Sequence, residues 1–286
     1  MQTPDFFTEM IGPDCSLNCC GKRLAGERSV HQSWEVWETP AFGRLYRLDG
    51  RNMASESDSF ICHEALVHIA GLAHPTLRRA LILGGGDGAS AAELLKYPAM
   101  EEVVIAELDP AVIQLTREFL PRLHQGALDD PRVRLEIGDA AAFINQCCTK
   151  DGHFDLIIFD LTDPDTAAAP LFSADFFRAC QRLLGPQGAI SLHLGSPFWQ
   201  REQIGTLLTR LREVFPLVTP VFPTLPLYGG LWSMAVASDS LSPAHLPHAL
   251  ITARIEQMPG HLRLIDANQY HALLACPPWL KSFESC

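Results

Sequence analysis

The chain has 286 residues, of which 47% are hydrophobic and 19% charged, and its formal net charge is −11 because 33 Asp and Glu residues outnumber 22 Lys and Arg residues. This composition is typical of a globular protein and excludes a disordered or fibrous chain. The acidic balance and the scattered basic residues argue against nucleic acid as the main partner, because phosphate binding needs clustered cations. No apolar stretch is long enough to predict a membrane span.

The N-terminus and the cysteines favour a cytoplasmic protein. The first residues lack the basic segment and apolar run of a signal peptide. The nine cysteines are irregularly spaced, and neither the cluster at Cys15, Cys19 and Cys20 nor the Cys147-Cys148 doublet has the spacing of zinc ligands. We therefore expect free thiols in a reducing compartment and no metal site.

Residues 1–72 are predicted to form a small antiparallel β domain and a connecting helix. Bulky and charged residues alternate over 34–38, and residues 43–50 form a second short strand that ends in an Asp-Gly turn signal. Polar residues around Asp58 can cap a helix over 60–71. The stretch before these strands is left without an assigned element.

Residues 73–286 are predicted to form an α/β domain with a Rossmann-like, mostly parallel sheet. Strands are predicted at Ala80–Leu83, Val103–Ala106, Val133–Ile137, Leu156–Phe159 and Ala189–Leu194. Helical patterns fall near 89–96, 110–120, 139–147, 173–184 and 200–214. This alternation indicates parallel strands with helices on both faces. The strand pattern at Leu231–Ala237 follows a proline-rich segment, which permits an antiparallel closing hairpin.

A glycine-rich turn and two acidic strand ends predict a nucleotide site. The first strand of the α/β domain runs directly into Gly84-Gly-Gly-Asp87-Gly88, where glycines allow close backbone approach to a ligand. The second strand ends in Glu107, which can accept both ribose hydroxyls. The third ends before Asp139 and Ala140, which could bind the adenine amino group and donate a backbone hydrogen bond, respectively.

The charge of the glycine turn favours an S-adenosyl ligand over a dinucleotide. A dinucleotide site places a helix N-terminus against an anionic pyrophosphate. Asp87 would repel phosphate and would suit a sulfonium or an ammonium group.

Two further acids follow the fourth strand, at Asp160 and Asp163. Ligands of open α/β sheets bind beyond the carboxyl ends of the strands, so these acids are expected to face the same crevice as Asp87. A structural turn role for Asp163, beside Pro164, remains an alternative. Together the three carboxylates could bind a polycation and accept a proton from an attacking ammonium, whose pKa is about 10.

From about Gln32 to Leu280 the chain resembles the polyamine aminopropyltransferases of the spermidine synthase family. The segments that carry the resemblance are 41–50, His63-Glu64, 83–89, Glu107-Leu-Asp109, 129–132, Gly138-Asp-Ala140, 160–164 and Tyr228-Gly-Gly230. The resemblance implies a methyltransferase-like Rossmann domain with an N-terminal β domain, usually as a homodimer or homotetramer. It also implies transfer of an aminopropyl group from decarboxylated S-adenosylmethionine, a co-substrate and not a prosthetic group, to a polyamine, with release of 5'-methylthioadenosine.

The resemblance also implies a role for each matching residue. Asp160 would be the general base, and Asp163 would help to hold the acceptor amine. The donor would be held by Gln32, His63, Asp87, Glu107, Asp139 and Ala140.

Four departures from the family pattern lie around the predicted crevice. Cys62 stands where relatives commonly have a tyrosine that positions the amine. A second pocket tyrosine falls on Leu227 or, one position later, on Tyr228. Met53 replaces a common glutamine, and residues 166–170 replace a Gly-Pro pair. We therefore expect intact chemistry and an altered acceptor pocket, with Cys62 and Tyr228 on the acceptor side.

Two other functions remain open from the sequence. A small-molecule methyltransferase that uses intact S-adenosylmethionine would share the glycine turn, Glu107 and Asp139, but Asp87, Asp160 and Asp163 better suit amines. A polyamine- or nucleotide-sensing protein without turnover would explain the missing tyrosines.

Overall fold

The N-terminal part of the chain forms a five-stranded antiparallel sheet. The computed structural model describes residues 5–147, 153–164 and 166–283. The strands are adjacent in chain order: β1 Asp5–Gly12, β2 Cys15–Arg28, β3 Ser33–Thr39, β4 Gly43–Leu48 and β5 Arg51–Ser55. Strands β3 and β4 confirm the strands predicted over 34–38 and 43–50, whereas the long β1–β2 hairpin precedes every predicted element.

The rest of the chain is built around a seven-stranded mixed sheet. Its strands are β6 Arg79–Gly84, β7 Glu102–Glu107, β8 Val133–Ile137, β9 Phe154–Asp160, β10 Leu184–Gly195, β11 Leu217–Val221 and β14 Ser233–Ser238, in the spatial order β11-β14-β10-β9-β6-β7-β8. Strands β6 to β10 are parallel, while β14 runs antiparallel to both β10 and β11. A two-stranded hairpin, β12 Thr224–Leu225 and β13 Gly230–Leu231, precedes β14. The predicted parallel sheet and its antiparallel closing strands are both confirmed.

Helices cover both faces of this sheet. They are α1 Ser59–Ala73, α2 Ala89–Leu94, α3 Pro110–Phe119, α4 Pro121–His124, α5 Ala140–Cys147, α6 Ala174–Gln181, α7 Arg201–Arg212, α8 His248–Glu256 and α9 Ala267–Leu273. Alternate residues of β9 enter two separate cores, Leu156 and Ile158 on one face and Ile157 and Phe159 on the other. This period of two, with both sides apolar, is why the strands read as continuous hydrophobic runs. Among the described helices none is long and apolar enough to span a membrane.

Helix α1 links the two sheets and carries two predicted site residues, Cys62 and His63. Its interior belongs to the core of the large sheet, where Leu66 and Ile69 are fully buried. Asp58 occupies the N-cap position, but its side chain makes no cap hydrogen bond. It accepts instead from the Leu227 backbone N–H at 2.8 Å, which ties the start of α1 to the loop before β13. A domain boundary after residue 72 stays a prediction.

Candidate active site

The predicted site residues collect at the carboxyl edge of the large sheet, where β6, β7, β8 and β9 end side by side. The glycine turn that follows β6 packs directly on β9, since the Gly85 N–H donates to the Asp160 carbonyl at 2.8 Å. Gly84 has a φ of +76°, and a Cβ at this position would collide with the same carbonyl. Only glycine fits this left-handed, close-packed position. The turn thereby brings its own Asp87 beside the end of β9.

Three side chains form what we call the inner cluster: His63, Asp87 and Asp160. The His63 Nε2 lies 3.9 Å from Asp87 Oδ2 and 3.8 Å from Asp160 Oδ2. Its Nδ1 donates to the Ser59 carbonyl at 2.7 Å, one helical turn earlier in α1. This bond fixes the ring so that Nε2 faces both carboxylates. The Ser90 hydroxyl donates to Asp160 Oδ2 at 2.7 Å and holds the second acid from the other side.

Burial and mutual charge set the protonation of the inner cluster. Burial lowers the pKa of His63, but the charges of Asp160 and Asp87 together raise it by more than burial lowers it. The net shift of the pKa is therefore upward and favours the imidazolium form. Burial raises the pKa of Asp87; the charge of His63 partly offsets this, and Asp160 adds to it. The raised pKa of Asp87 shows that its negative charge is disfavoured in this buried site, and a cationic ligand would stabilise that charge.

Glu107 is buried at the end of β7 and touches the glycine turn. Its Oε2 accepts from the Gly86 N–H at 3.0 Å and its Oε1 from the Asp109 N–H at 2.8 Å. Burial raises the pKa of Glu107 from 4.5 to about 7, although both backbone bonds lower it. Each carboxylate oxygen can accept a second hydrogen bond, so the side chain can still take the two hydroxyls of a ribose.

The other predicted donor residues lie along the same edge. The Gln32 Nε2 donates to Asp109 Oδ2 at 3.1 Å, which places Gln32 beside the loop after β7. The Asp139 Oδ1 accepts from the Ala142 N–H at 2.7 Å and so caps helix α5, whose first residue is Ala140. Asp139 thus has a structural role in addition to the predicted one, and Gly138 before it joins β7 through the Glu107 carbonyl at 2.9 Å.

A cavity of about 510 Å³ opens between the two sheets, and we call it the main cavity. Asp160, Asp163, Cys62 and Tyr228 all line it. Hairpin β1–β2 supplies part of the opposite wall with residues 8–13. Asp160 therefore joins the inner cluster to the main cavity. The predicted meeting of Asp160 and Asp163 with Asp87 in one crevice is found only in part, because Asp87 is buried in the inner cluster and does not line the main cavity.

The structure distinguishes the two candidate pocket tyrosine positions. Tyr228 lines the main cavity, and its hydroxyl donates a short hydrogen bond to the Met53 carbonyl. Leu227 is buried beside Phe7 and Trp37 in a small apolar core. Burial, followed by the charge of Asp160, raises the pKa of Cys62 well above its ordinary value, so its thiol stays protonated at neutral pH.

Besides Ser90, sequence reasoning missed two side chains of the N-terminal sheet that contact predicted site acids. The Tyr46 hydroxyl, from β4, donates to Asp87 Oδ2 at 3.2 Å. Arg51, at the start of β5, places Nη1 at 2.9 Å from Asp163 Oδ2. Tyr46 lies inside the 41–50 segment and Arg51 directly follows it. The sequence pattern there predicts only a strand and a turn, because a contact between two sheets leaves no pattern in the local sequence.

The inner cluster could in principle ligate a metal ion. One atom from each of His63, Asp87 and Asp160 lies within 4.8 Å of the other two. The donor set of one imidazole and two carboxylates suits several divalent cations only when the His63 Nε2 is unprotonated. The raised pKa of His63 opposes this, whereas an organic ammonium group needs only the two carboxylates.

The fold places the chain in the methyltransferase-like α/β class. Comparison with known proteins makes this specific. Residues 59–245 match the family model of the spermine/spermidine synthase domain. The chain belongs to the spermine/spermidine synthase family.

Similar proteins cover nearly all of the chain. A polyamine aminopropyltransferase of Nitrosomonas europaea is 44% identical over 283 residues, which is 98% of this chain and 86% of that protein. Polyamine aminopropyltransferase 1 of Pseudomonas aeruginosa is 35% identical over 254 residues, 88% of each chain. A spermidine synthase crystallised with the transition state analogue AdoDATO superposes with a TM-score of 0.91 at 27% identity, covering 100% of this chain and 97% of that one. The spermidine synthase of Thermotoga maritima gives 0.88 at 26% identity, with 100% and 96% covered.

Proposed function

We propose that this protein is a polyamine aminopropyltransferase that moves the aminopropyl group of decarboxylated S-adenosylmethionine to an amine and releases 5'-methylthioadenosine. The family membership supports the reaction class. The observation that carries the mechanism is the position of Asp160, which lines the main cavity and lies 3.8 Å from the His63 imidazole.

Asp160 is proposed as the general base. An amine in the main cavity arrives as an ammonium, because its ordinary pKa is about 10, and it must lose a proton before its nitrogen can attack. The nitrogen lone pair then displaces the sulfur from the aminopropyl carbon, and the sulfonium leaves as a neutral thioether. Because the sulfonium is already an activated leaving group, in-line positioning and deprotonation are the main tasks of the protein.

The donor is proposed to bind along the strand ends. Glu107 would accept from the ribose hydroxyls, Asp139 and Ala140 would contact the adenine, and Gln32 would close this side. Asp87 and His63 would lie beside the aminopropyl end, where Asp87 contacts the ammonium. Intact S-adenosylmethionine would bring its own carboxylate towards Asp87 and Asp160, so like-charge repulsion favours the decarboxylated donor.

The acceptor is proposed to be a diamine or a longer polyamine held in the main cavity by Asp163. Cys62 and Tyr228 would form its wall, with fewer hydroxyl contacts than the family pattern provides. The cytoplasmic location and the homodimer or homotetramer stay predictions from the sequence.

Product analysis tests the proposal. Purified protein is incubated with decarboxylated S-adenosylmethionine and, in turn, putrescine, cadaverine, 1,3-diaminopropane and spermidine, and then with intact S-adenosylmethionine. We expect 5'-methylthioadenosine with at least one amine. S-adenosylhomocysteine from the intact donor would identify a methyltransferase instead, and binding without any product would identify a sensor. A strong, exclusive preference for putrescine would refute the altered acceptor pocket.

A further inference from the structure

An ion pair occupies the wall of the main cavity. Arg51 and Asp163 both line this cavity, and the Arg51 Nη1 lies 2.9 Å from Asp163 Oδ2. Their side chains are 39% and 22% exposed, so the pair faces the cavity and its solvent and is not part of a packed core. A partly exposed pair of this kind contributes little to folding.

A second acid of the same cavity is also paired with an arginine. Glu9, from β1, lines the cavity, and the Arg47 Nη2 lies 3.7 Å from its Oε2. Arg47 is buried and is held by further bonds to the Thr8 carbonyl at 2.6 Å and Asn52 Oδ1 at 3.0 Å. This arginine lies behind the lining residues of the cavity, and its Nη1 is also 3.4 Å from Glu35 Oε2, so its charge is shared between two acids. Arg51 is the more exposed of the two and directly contacts the cavity acid predicted to hold the acceptor.

The part of the cavity near Asp160 carries a different balance. Asp160 contacts the Ser90 hydroxyl and the His63 imidazole, and His63 is shared with Asp87. Two carboxylates thus lie beside one imidazole where the reacting amine would lose its proton, whereas the negative charge of Asp163, where the remainder of the acceptor would lie, is reduced by Arg51.

We propose that Arg51 is a specificity-determining residue that makes the main cavity favour a diamine over a triamine as acceptor. This inference rests on the proposed function. Once its attacking nitrogen is neutral, a diamine has one remaining ammonium and a triamine has two. Each remaining ammonium must find a negative partner or bear the repulsion of a nearby cation. Asp163 is proposed to hold the first of these ammonium groups. Because Asp163 already shares its negative charge with Arg51, the second ammonium of a triamine finds no further negative charge there and faces the guanidinium.

Binding measurements on charge variants test this role. The dissociation constants of putrescine and spermidine are measured by calorimetry in the presence of 5'-methylthioadenosine, for wild type, Arg51→Met and Arg51→Lys. Methionine keeps much of the length and removes the charge. We expect Arg51→Met to shift the affinity ratio towards spermidine by about tenfold, the size of one partly screened charge interaction. Arg51→Lys should keep the wild-type preference because it keeps the charge.

Arg78→Met is the matched control. Arg78 pairs with Glu101 on the surface, and both side chains are more than half exposed. Arg78→Met changes the net charge of the protein by the same amount as Arg51→Met, but outside the cavity. The ratio of its affinities for putrescine and spermidine should therefore equal that of wild type.

Three results would overturn the role of Arg51: a wild type that prefers spermidine, an unchanged ratio in Arg51→Met, or the same shift in Arg78→Met. These are distinct from failure of the proposed function. A wild type that forms no 5'-methylthioadenosine with any amine contradicts that function, whereas normal turnover with an unchanged ratio in Arg51→Met contradicts only the inference about specificity.

Discussion

The two ends of the active-site region place different groups beside their acids. In the inner cluster and at Glu107, carboxylates are buried against backbone N–H groups, hydroxyls and one imidazole, and the pKa values of Asp87 and Glu107 are raised. In the outer part of the main cavity, Asp163 lies 2.9 Å from Arg51 and Glu9 lies 3.7 Å from Arg47, although burial raises the pKa of Glu9 as well. The proposed donor end thus keeps an electrostatic cost that a cationic ligand relieves, while at the proposed acceptor end Arg51 partly neutralises Asp163.

This difference separates chemistry from selectivity. The donor end retains the residues that the family pattern implies, and their close hydrogen bonds leave little room for change. The acceptor end carries the departures at Cys62 and Met53 together with the arginine pairs. Substitutions at the two ends should therefore have different kinetic effects.

The largest effect is expected at Asp160. Asp160→Asn removes the proposed base and should lower kcat by about 1,000-fold, within the range for loss of a general base. Steady-state release of 5'-methylthioadenosine measures this. Asp155→Asn, at the other end of β9, is the control, because Asp155 accepts from the Arg78 and Arg79 N–H groups outside the cavity. Equal losses in both variants would mean that the strand is disturbed and not the base.

Glu107→Gln should mainly weaken binding of the donor. Loss of charged hydrogen bonds to two ribose hydroxyls is expected to raise the KM for the donor by about 100-fold, with a smaller change in the KM for the amine. Glu101 precedes the first residue of β7, at the end far from the site, and its side chain is exposed. Glu101→Gln should change neither KM value. An equal rise in both KM values would contradict a donor-specific role.

Glu107 should also make stability depend on pH. Its folded pKa of about 7 exceeds its ordinary value of 4.5 because of burial, so between these values the folded state binds more protons than the unfolded state. The free energy of unfolding should therefore fall by about 2–3 kcal/mol as the pH rises through this window, and Glu107→Gln should lack this part of the fall. Urea unfolding at pH 5 and pH 8 measures it, and parallel pH dependences in the two proteins would contradict the raised pKa.

Tyr46→Phe should have an intermediate effect at the donor end. It removes the hydroxyl that donates to Asp87 and should reduce kcat/KM for the donor by about tenfold, as expected for a hydrogen bond to a charged group. Tyr97→Phe removes a buried hydroxyl bonded to the His68 Nδ1, outside the main cavity. It should lower stability without this kinetic change, and a similar kinetic loss there would remove the case for Tyr46.

Cys62→Ala should have the smallest effect. The pKa of the Cys62 thiol is raised well above its ordinary value by burial, so no thiolate nucleophile forms at neutral pH. We expect kcat to stay within about twofold of wild type, with any change confined to the KM for the amine. A loss comparable to that of Asp160→Asn would instead assign chemistry to Cys62.

Much of the donor end could be predicted from the sequence because parallel strands end at one edge. The apolar runs predicted strands β6, β7, β8 and β9. The acids at or just after the ends of these strands therefore had to lie near one another. The acceptor end was harder to predict from the sequence. The β1–β2 hairpin has a turn signal at Gly12-Pro13-Asp14 but no recognised pattern, and the Arg51–Asp163 pair joins residues 112 positions apart. Such contacts depend on how two sheets meet, which local patterning does not specify.

The most direct test of the central claim is the structure of the protein with 5'-methylthioadenosine and its preferred amine. We expect one amine nitrogen within hydrogen-bonding distance of Asp160, the thioadenosine along Glu107 and Asp139, and the remainder of the amine extending into the main cavity towards Asp163. An amine bound outside this cavity, or with neither nitrogen near Asp160, would contradict it.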